Sequence, residues 1–216
     1  SCMSMQRCGL DEVRAALDSG ESISLILVNR EHDSEEVGGL VSAAEEAGIR
    51  VIKGSENDLW RMARENSEEA PEILALVGRD PAASLDEVIA AGGLIWLLDG
   101  AKYPVNIGFC IRTAEVSGAA AVVVVGELNN SERSAAKRAS MKAHRFIPVF
   151  WQSSSESILT AKSAGYRIIA LEDIGDKAPW DVDITGPVLL IVGGERAGIS
   201  EEAIALADEI IRIPMS

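Results

Sequence analysis

The spacing of apolar and polar positions divides this chain into alternating helical and strand-like segments. Over residues 9–19, Leu10, Val13, Ala16 and Leu17 fall on one helical face. The β-branched run at 23–28 predicts a strand. Ser34 supplies an N-cap for a helix reaching 47, Gly48 stops it, and 50–53 returns as a short strand. Residues 58–65 predict a helix, and 72–77 is apolar enough for another strand. The αβαβαβ order predicts a compact three-layer domain over residues 1–80.

The second half repeats the alternation in more apolar form. Gly78-Arg-Asp-Pro-Ala82 supplies turn chemistry and Ser84 a cap for a short segment to 90, so 81–93 reads as a linker. Strands are predicted at 94–98, 121–125, 146–150, 167–171, 188–192 and 210–213. Helices are predicted from Asn106, as N-cap, to 117, and over 131–139, 154–163 and 201–207, the last capped by Ser200. Apolar runs of this kind are buried on both faces in parallel sheets. Repeated βα units therefore predict an α/β domain over 94–216, with ligands at the carboxyl ends of its strands.

Composition narrows the class. Of 216 residues, 47% are hydrophobic and only 4% aromatic, which fits an Ala, Val, Ile and Leu-packed α/β protein and excludes a disordered chain. No apolar run reaches the length of a membrane span, and the first residues lack the pattern of a signal peptide. Cys2, Cys8 and Cys110 have no metal-like spacing and form no disulfide framework, so the expectation is a reducing cytoplasm and no metal. His32 and His144 lack a second ligand at metal spacing and read as surface or structural residues.

Charge complicates any nucleic-acid reading. The net charge is −14, and phosphate affinity comes from Lys and Arg. Residues 1–80 hold 8 Lys and Arg against 17 Asp and Glu, a net −9; residues 81–216 carry −5. One stretch opposes the trend: Arg133, Lys137, Arg138, Lys142 and Arg145 lie within thirteen residues. It reads either as a solvated helix face or as a phosphate-contacting surface.

Two loops concentrate the candidate chemistry. The first is Asp99-Gly-Ala-Lys-Tyr-Pro-Val-Asn-Ile-Gly-Phe-Cys-Ile-Arg-Thr-Ala114; the second is Val192-Gly-Gly-Glu-Arg-Ala-Gly-Ile-Ser200. Each joins a predicted strand to a predicted helix, where backbone N–H groups converge on small ligands. Asn106, Arg112 and Glu195 are polar residues within apolar, Gly-rich surroundings. Gly193, Gly194 and Gly198 would allow close backbone approach to a ligand, or serve loop geometry alone. A dinucleotide-binding oxidoreductase would need a Gly-x-Gly-x-x-Gly after a strand, and none is present.

Taken in order, three segments resemble the signatures of the SpoU (TrmH) family: Pro-x-Asn-x-Gly-x-x-x-Arg-Thr-Ala at 104–114, Gly-x-Glu-x-x-Gly at 193–198, and Ile213-Pro-Met215. Members of that family are SPOUT-class, S-adenosylmethionine-dependent 2'-O-ribose RNA methyltransferases. The resemblance covers roughly 94–216 and implies a parallel-sheet domain with a trefoil knot, acting as a homodimer on rRNA or tRNA. Residues 8–80 resemble, more weakly, the substrate-binding domain that often precedes it.

The resemblance implies Arg112 as the catalytic arginine, with Asn106 beside the reacting ribose and Glu195 orienting either. An obligate cation is a poor base, so positioning and electrostatic stabilisation suit Arg112 better than proton abstraction. It also implies a cofactor pocket from Gly193, Gly194, Gly198, Ile213 and Met215, with Leu171 on an adjacent loop. In the family the Ile-Pro-Met segment leads into a further loop and a C-terminal helix. This sequence ends at Ser216, so the expectation is a knot element cut short. A non-catalytic RNA-binding or assembly protein of the same fold is the alternative.

Overall fold

A computed structural model describes residues 5–63, 68–172, 184, 186–194 and 198–212. The chain divides into two compact units, Ser1–Asp80 and Pro81–Ser216.

The first unit runs β1 (Gln6–Cys8), α1 (Leu10–Asp18), β2 (Ile23–Asn29), α2 (Glu35–Glu46), β3 (Arg50–Gly54), α3 (Glu56–Met62) and β4 (Ile73–Val77). Its sheet has the order β1-β4-β2-β3, with β2 and β3 parallel and the other pairs antiparallel. Alternate residues of β2 and β4 separate the two faces. Ile26, Val28, Ile73 and Ala75 pack with Val13 of α1 and with Val37, Leu40 and Ala44 of α2. Leu25, Leu27, Leu74 and Leu76, from the opposite face, are buried too. Strand β1 was not expected, because three residues are too few for a period-two pattern to register. The helix expected at 58–65 begins earlier, since Ser55 and Asp58 form a capping box that starts α3 at Glu56.

The second unit runs α4 (Leu85–Ala91), β5 (Ile95–Asp99), α5 (Pro104–Ser117), β6 (Ala121–Val124), α6 (Asn130–Ala139), a 3-10 turn (Ala143–Arg145), β7 (Val149–Trp151), α7 (Ser154–Ser163), β8 (Arg167–Glu172), β9 (Val188–Gly193), α8 (Glu201–Leu206) and β10 (Glu209–Arg212). Its six strands are ordered β10-β8-β9-β5-β6-β7 and every neighbouring pair is parallel. Trp96, Leu98, Val122, Val124, Leu190 and Val192 pack on one face with Ile107 and Ile111 of α5 and Ala136 of α6. Ile95, Leu97, Val123, Leu189 and Ile191 pack on the other with α4, α7 and α8. Ser84, Asn129, Ser153 and Ser200 accept hydrogen bonds from the first turns of α4, α6, α7 and α8. The sequence therefore fixes where these helices start.

Three expectations change here. Residues 81–93, expected as a linker, carry α4, which buries Leu85, Val88 and Ile89 against the sheet. The strand expected at 146–150 pairs only over Val149–Trp151. Pro148 has no N–H to give a ladder, and its carbonyl accepts from the Val122 N–H at 2.9 Å. Helix α5 starts at Pro104 with Tyr103 as N-cap, so Asn106 lies within the first turn rather than capping it. Proline at the first helical position has its φ already set and lacks only an N–H that the helix would leave unpaired.

The edge strand is fastened by Asp208. Its carboxylate accepts from the Ile168 N–H at 2.8 Å and pairs with Lys162 Nζ at 3.2 Å. The Ile168 N–H foremost, with Lys162 behind it, holds the Asp208 carboxyl below the usual range. A depressed folded-state pKa contributes stability above the unfolded value near ~3.9, lost as pH falls through the folded value. We expect Asp208→Ala to lower unfolding free energy by about 1 kcal/mol at neutral pH. Urea unfolding of both proteins should show that difference shrinking as the pH falls below the ordinary Asp range.

Candidate functional site

Strand register sets the floor of the candidate site. Leu98 pairs with Val192, Val192 with Leu171, and Leu171 with Ile211, so one apolar row crosses four strands. The next residues, Asp99, Gly193, Glu172 and Arg212, end those strands. Leu171 therefore lies within β8, not on a loop as expected, and its buried side chain belongs to the core beneath α5. Only its main chain stands near the rim.

Between β5 and β9 the outgoing chain diverges. β5 leads to α5 on one face of the sheet and β9 to α8 on the other. Such a divergence opens a crevice at the carboxyl ends of parallel strands. Across it, Asp99 ties the two exits together. Its buried carboxylate accepts from the Ser200 N–H at 2.8 Å, and its carbonyl from the Gly194 N–H at 2.6 Å.

The glycines serve this junction first. A Cβ on Gly194 would lie 2.6 Å from the Gly100 carbonyl oxygen, and one on Gly193 would lie 2.8 Å from the Gly198 carbonyl carbon. Gly194 and Gly198 form an isolated bridge, and Gly198 has a φ of +66°. Gly194 thus meets the first loop, while Gly193 packs against Gly198 within the second. Glu195, Ile213 and Met215 lie outside the described residues.

Arg112 sits midway along α5, and its Nη1 donates to Oε2 of Glu115 at 3.2 Å. The Arg112 side chain is 26% exposed and that of Glu115 only 2%. Glu115 escaped the sequence reading because an Arg–Glu spacing of three is common on solvated helix faces; only packing reveals this one as buried. Asn106 is exposed in the first turn. Arg112 lies six positions further on, so helix geometry sets the two about 9 Å apart along the axis.

The basic stretch is not uniform. The Arg133 guanidinium lies 5.4 Å from the Trp151 ring centroid, a cation–π contact joining α6 to β7. Lys137, Arg138 and Arg145 are exposed, while Lys142 is half-buried with a left-handed φ of 69°. His144 accepts or donates at Nδ1 to the Ser140 hydroxyl at 3.2 Å. Burial foremost, then Arg145 and Lys137, lowers its pKa from the ordinary histidine value.

The loop junction yields a direct expectation. Gly194→Ala should destabilise the second unit by about 1–3 kcal/mol, because the new methyl meets backbone rather than a side chain that can move. Denaturant unfolding measures it, and a neutral result would mean that the two loops separate freely.

Comparison with known proteins adds an independent observation. The model of the SpoU rRNA Methylase family matches residues 93–216, more than half of the chain. The 23S rRNA (adenosine(1067)-2'-O)-methyltransferase of Streptomyces laurentii is 28% identical over 187 residues, spanning 83% of this chain and 66% of that protein. The 23S rRNA (guanosine-2'-O-)-methyltransferase RlmB of Burkholderia sp is 30% identical over 134 residues, spanning 62% and 54%. The chain thus spans between half and two thirds of the length of these curated relatives. Among solved structures, the SpoU methyltransferase AviRb from Streptomyces viridochromogenes, in complex with AdoMet, aligns with a TM-score of 0.52 at 25% identity. That alignment covers 98% of this chain and 81% of AviRb. With the family model spanning its parallel-sheet unit and Arg112 on the helix leaving β5, the chain belongs to the SpoU rRNA methylase family.

Proposed function

We propose that this protein transfers a methyl group from S-adenosylmethionine to a ribose 2'-hydroxyl of rRNA or tRNA. The observation that carries the reading is Arg112, held by a buried carboxylate on the helix that leaves the crevice between β5 and β9. When bound, S-adenosylmethionine supplies a methyl group on an electrophilic sulfonium. Backbone of Gly193, Gly194 and Gly198 would hold it, together with Ile213 and Met215, above the floor that Leu171 helps to form.

A ribose hydroxyl is a poor nucleophile at neutral pH, so the protein must orient it and favour the negative charge that develops on its oxygen. Arg112 suits that task. One of its donors engages Glu115, and its planar fork has others for a ribose or phosphate oxygen. Its guanidinium keeps its proton, so the hydroxyl proton leaves to phosphate or water. Asn106, exposed near the mouth of the loop, would steady the substrate there, and Glu195 would orient either residue.

Membership of the family is what supports a trefoil knot here. The outer face of α5 supports a homodimer. Val105, Phe109 and Val116 are each more than half exposed and recur at helical spacing around Arg112. A second copy covering that stripe would bring each site to the subunit interface. Residues 1–80, a compact unit with its own core, would recognise features of the RNA other than phosphate, since the unit is acidic.

Arg112→Ala is expected to reduce methyl transfer about a hundred- to a thousandfold, the usual cost of removing a donor to a developing oxyanion. Calorimetry should find S-adenosylmethionine affinity nearly unchanged. Turnover within a few-fold of the parent sinks the assignment.

The exposed cations give a second expectation. Neutralising Lys137 and Arg138 together should shrink the salt dependence of RNA binding by roughly 0.7 to 0.9 in log–log slope per lost phosphate contact. Arg133→Gln should instead lower the melting temperature, because its guanidinium packs on Trp151. An unchanged slope in the double variant returns Lys137 and Arg138 to a merely solvated face.

A further inference from the structure

Glu115 is a buried acid at an unfavourable place on its helix. Its side chain is 2% exposed, so the carboxylate gives up nearly all its water. It lies in the last turn of α5 (Pro104–Ser117), where the helix end carries partial negative charge and disfavours an anion. It follows Arg112 in sequence, the less favourable order for a helical ion pair. A buried pair of this kind is often no more stabilising than apolar side chains of similar volume.

We propose that Glu115 is a positioning residue for the methyl-transfer reaction: through Arg112 Nη1 it fixes the direction in which the guanidinium meets the ribose and phosphate oxygens. This rests on the reading of Arg112 given above. An arginine side chain has four flexible torsions and loses much entropy when held in one arrangement. Exposed on a helix surface, it would sample many directions, and only a fraction would face the reacting oxygen. Glu115 sits one turn along the same helix and is itself packed, so it offers a fixed acceptor. The guanidinium is then pinned at one nitrogen in a side chain that stays 26% exposed and so within reach of a substrate. The ordering is completed during folding instead of at the moment of reaction, which is the general source of the advantage of pre-organised sites.

The test separates Glu115 from Arg112 and from simple stability. In the cofactor-free parent, side-chain NMR relaxation at Arg112 Nε should show a restrained guanidinium, and Glu115→Gln should release it. A mobile Arg112 in the parent overturns the proposal without any variant. Glu115→Gln should lower kcat about ten- to a hundredfold, the scale of a misplacement near 1 Å, with KM for S-adenosylmethionine within twofold of the parent. Glu115→Leu should lose the same activity while keeping or raising the melting temperature, which a structural role would not allow. In an Arg112→Ala background, Glu115→Gln should cost nothing further. Parental kcat in Glu115→Gln, with Arg112→Ala inactive, overturns the role of Glu115 and leaves that of Arg112 standing. An active Arg112→Ala overturns the reading of Arg112, and the role of Glu115 with it.

Discussion

The second unit depends on one buried carboxylate. Asp99 ends β5 at the middle of the sheet, where an unpartnered charge would be costly. One backbone N–H, that of Ser200, bonds the carboxylate, and a second, that of Gly194, bonds the main-chain carbonyl of the same residue. Both donors come from the far side of the crevice, so the interaction that satisfies Asp99 also sets the separation of the two loops. The tolerance is narrow. At Gly193 and Gly194 a single added carbon would come closer to backbone than real side chains do. Backbone cannot step aside as a rotamer can, so these positions are glycine for steric reasons before any ligand is considered.

Helix α5 meets three different demands on three sides. Ile107, Ile111 and Ala114 face the sheet. Gly108 faces α6 so closely that a Cβ there would lie 2.7 Å from the Ala136 carbonyl oxygen and 2.6 Å from the Ala139 carbonyl carbon. The remaining side carries Val105, Phe109 and Val116 with Arg112 among them. A helix apolar on so many sides has little contrast between its faces. The glycine of the Asn-x-Gly signature thus has a packing role of its own, since it lets α6 and its cations lie close to the helix bearing Arg112.

Local charge matters more than total charge in this chain. A net −14 opposes long-range attraction of RNA, yet Lys137, Arg138 and Arg145 stand exposed just beyond α5. Screening confines the surrounding acidic field to about 8 Å at physiological ionic strength. An exposed local cluster can therefore contact phosphate within an acidic protein. Arg133 differs from these three in that its guanidinium also packs on the Trp151 ring.

The alternation of elements, the caps at Ser34, Ser84 and Ser200 and the parallel character of the second sheet were legible in the sequence. Each depends on residues near in sequence: β-branched runs, Ser before a helix, glycine after one. The family was legible as well, since Asn106, Gly108 and Arg112 lie within one short signature. Where proline governs the backbone, local reading of boundaries failed, as at Pro104 and Pro148. The strand order, the Asp99 junction and the burial of Glu115 were not legible. Asp99 and Ser200 are 101 residues apart, and no local pattern records that they meet. An Arg–Glu pair at a spacing of three looks the same in sequence whether water or a protein core surrounds it. Periodicity can say which residues share a helix face; only the packing of α5 against the sheet and α6 decides that Glu115 is buried and Arg112 emerges.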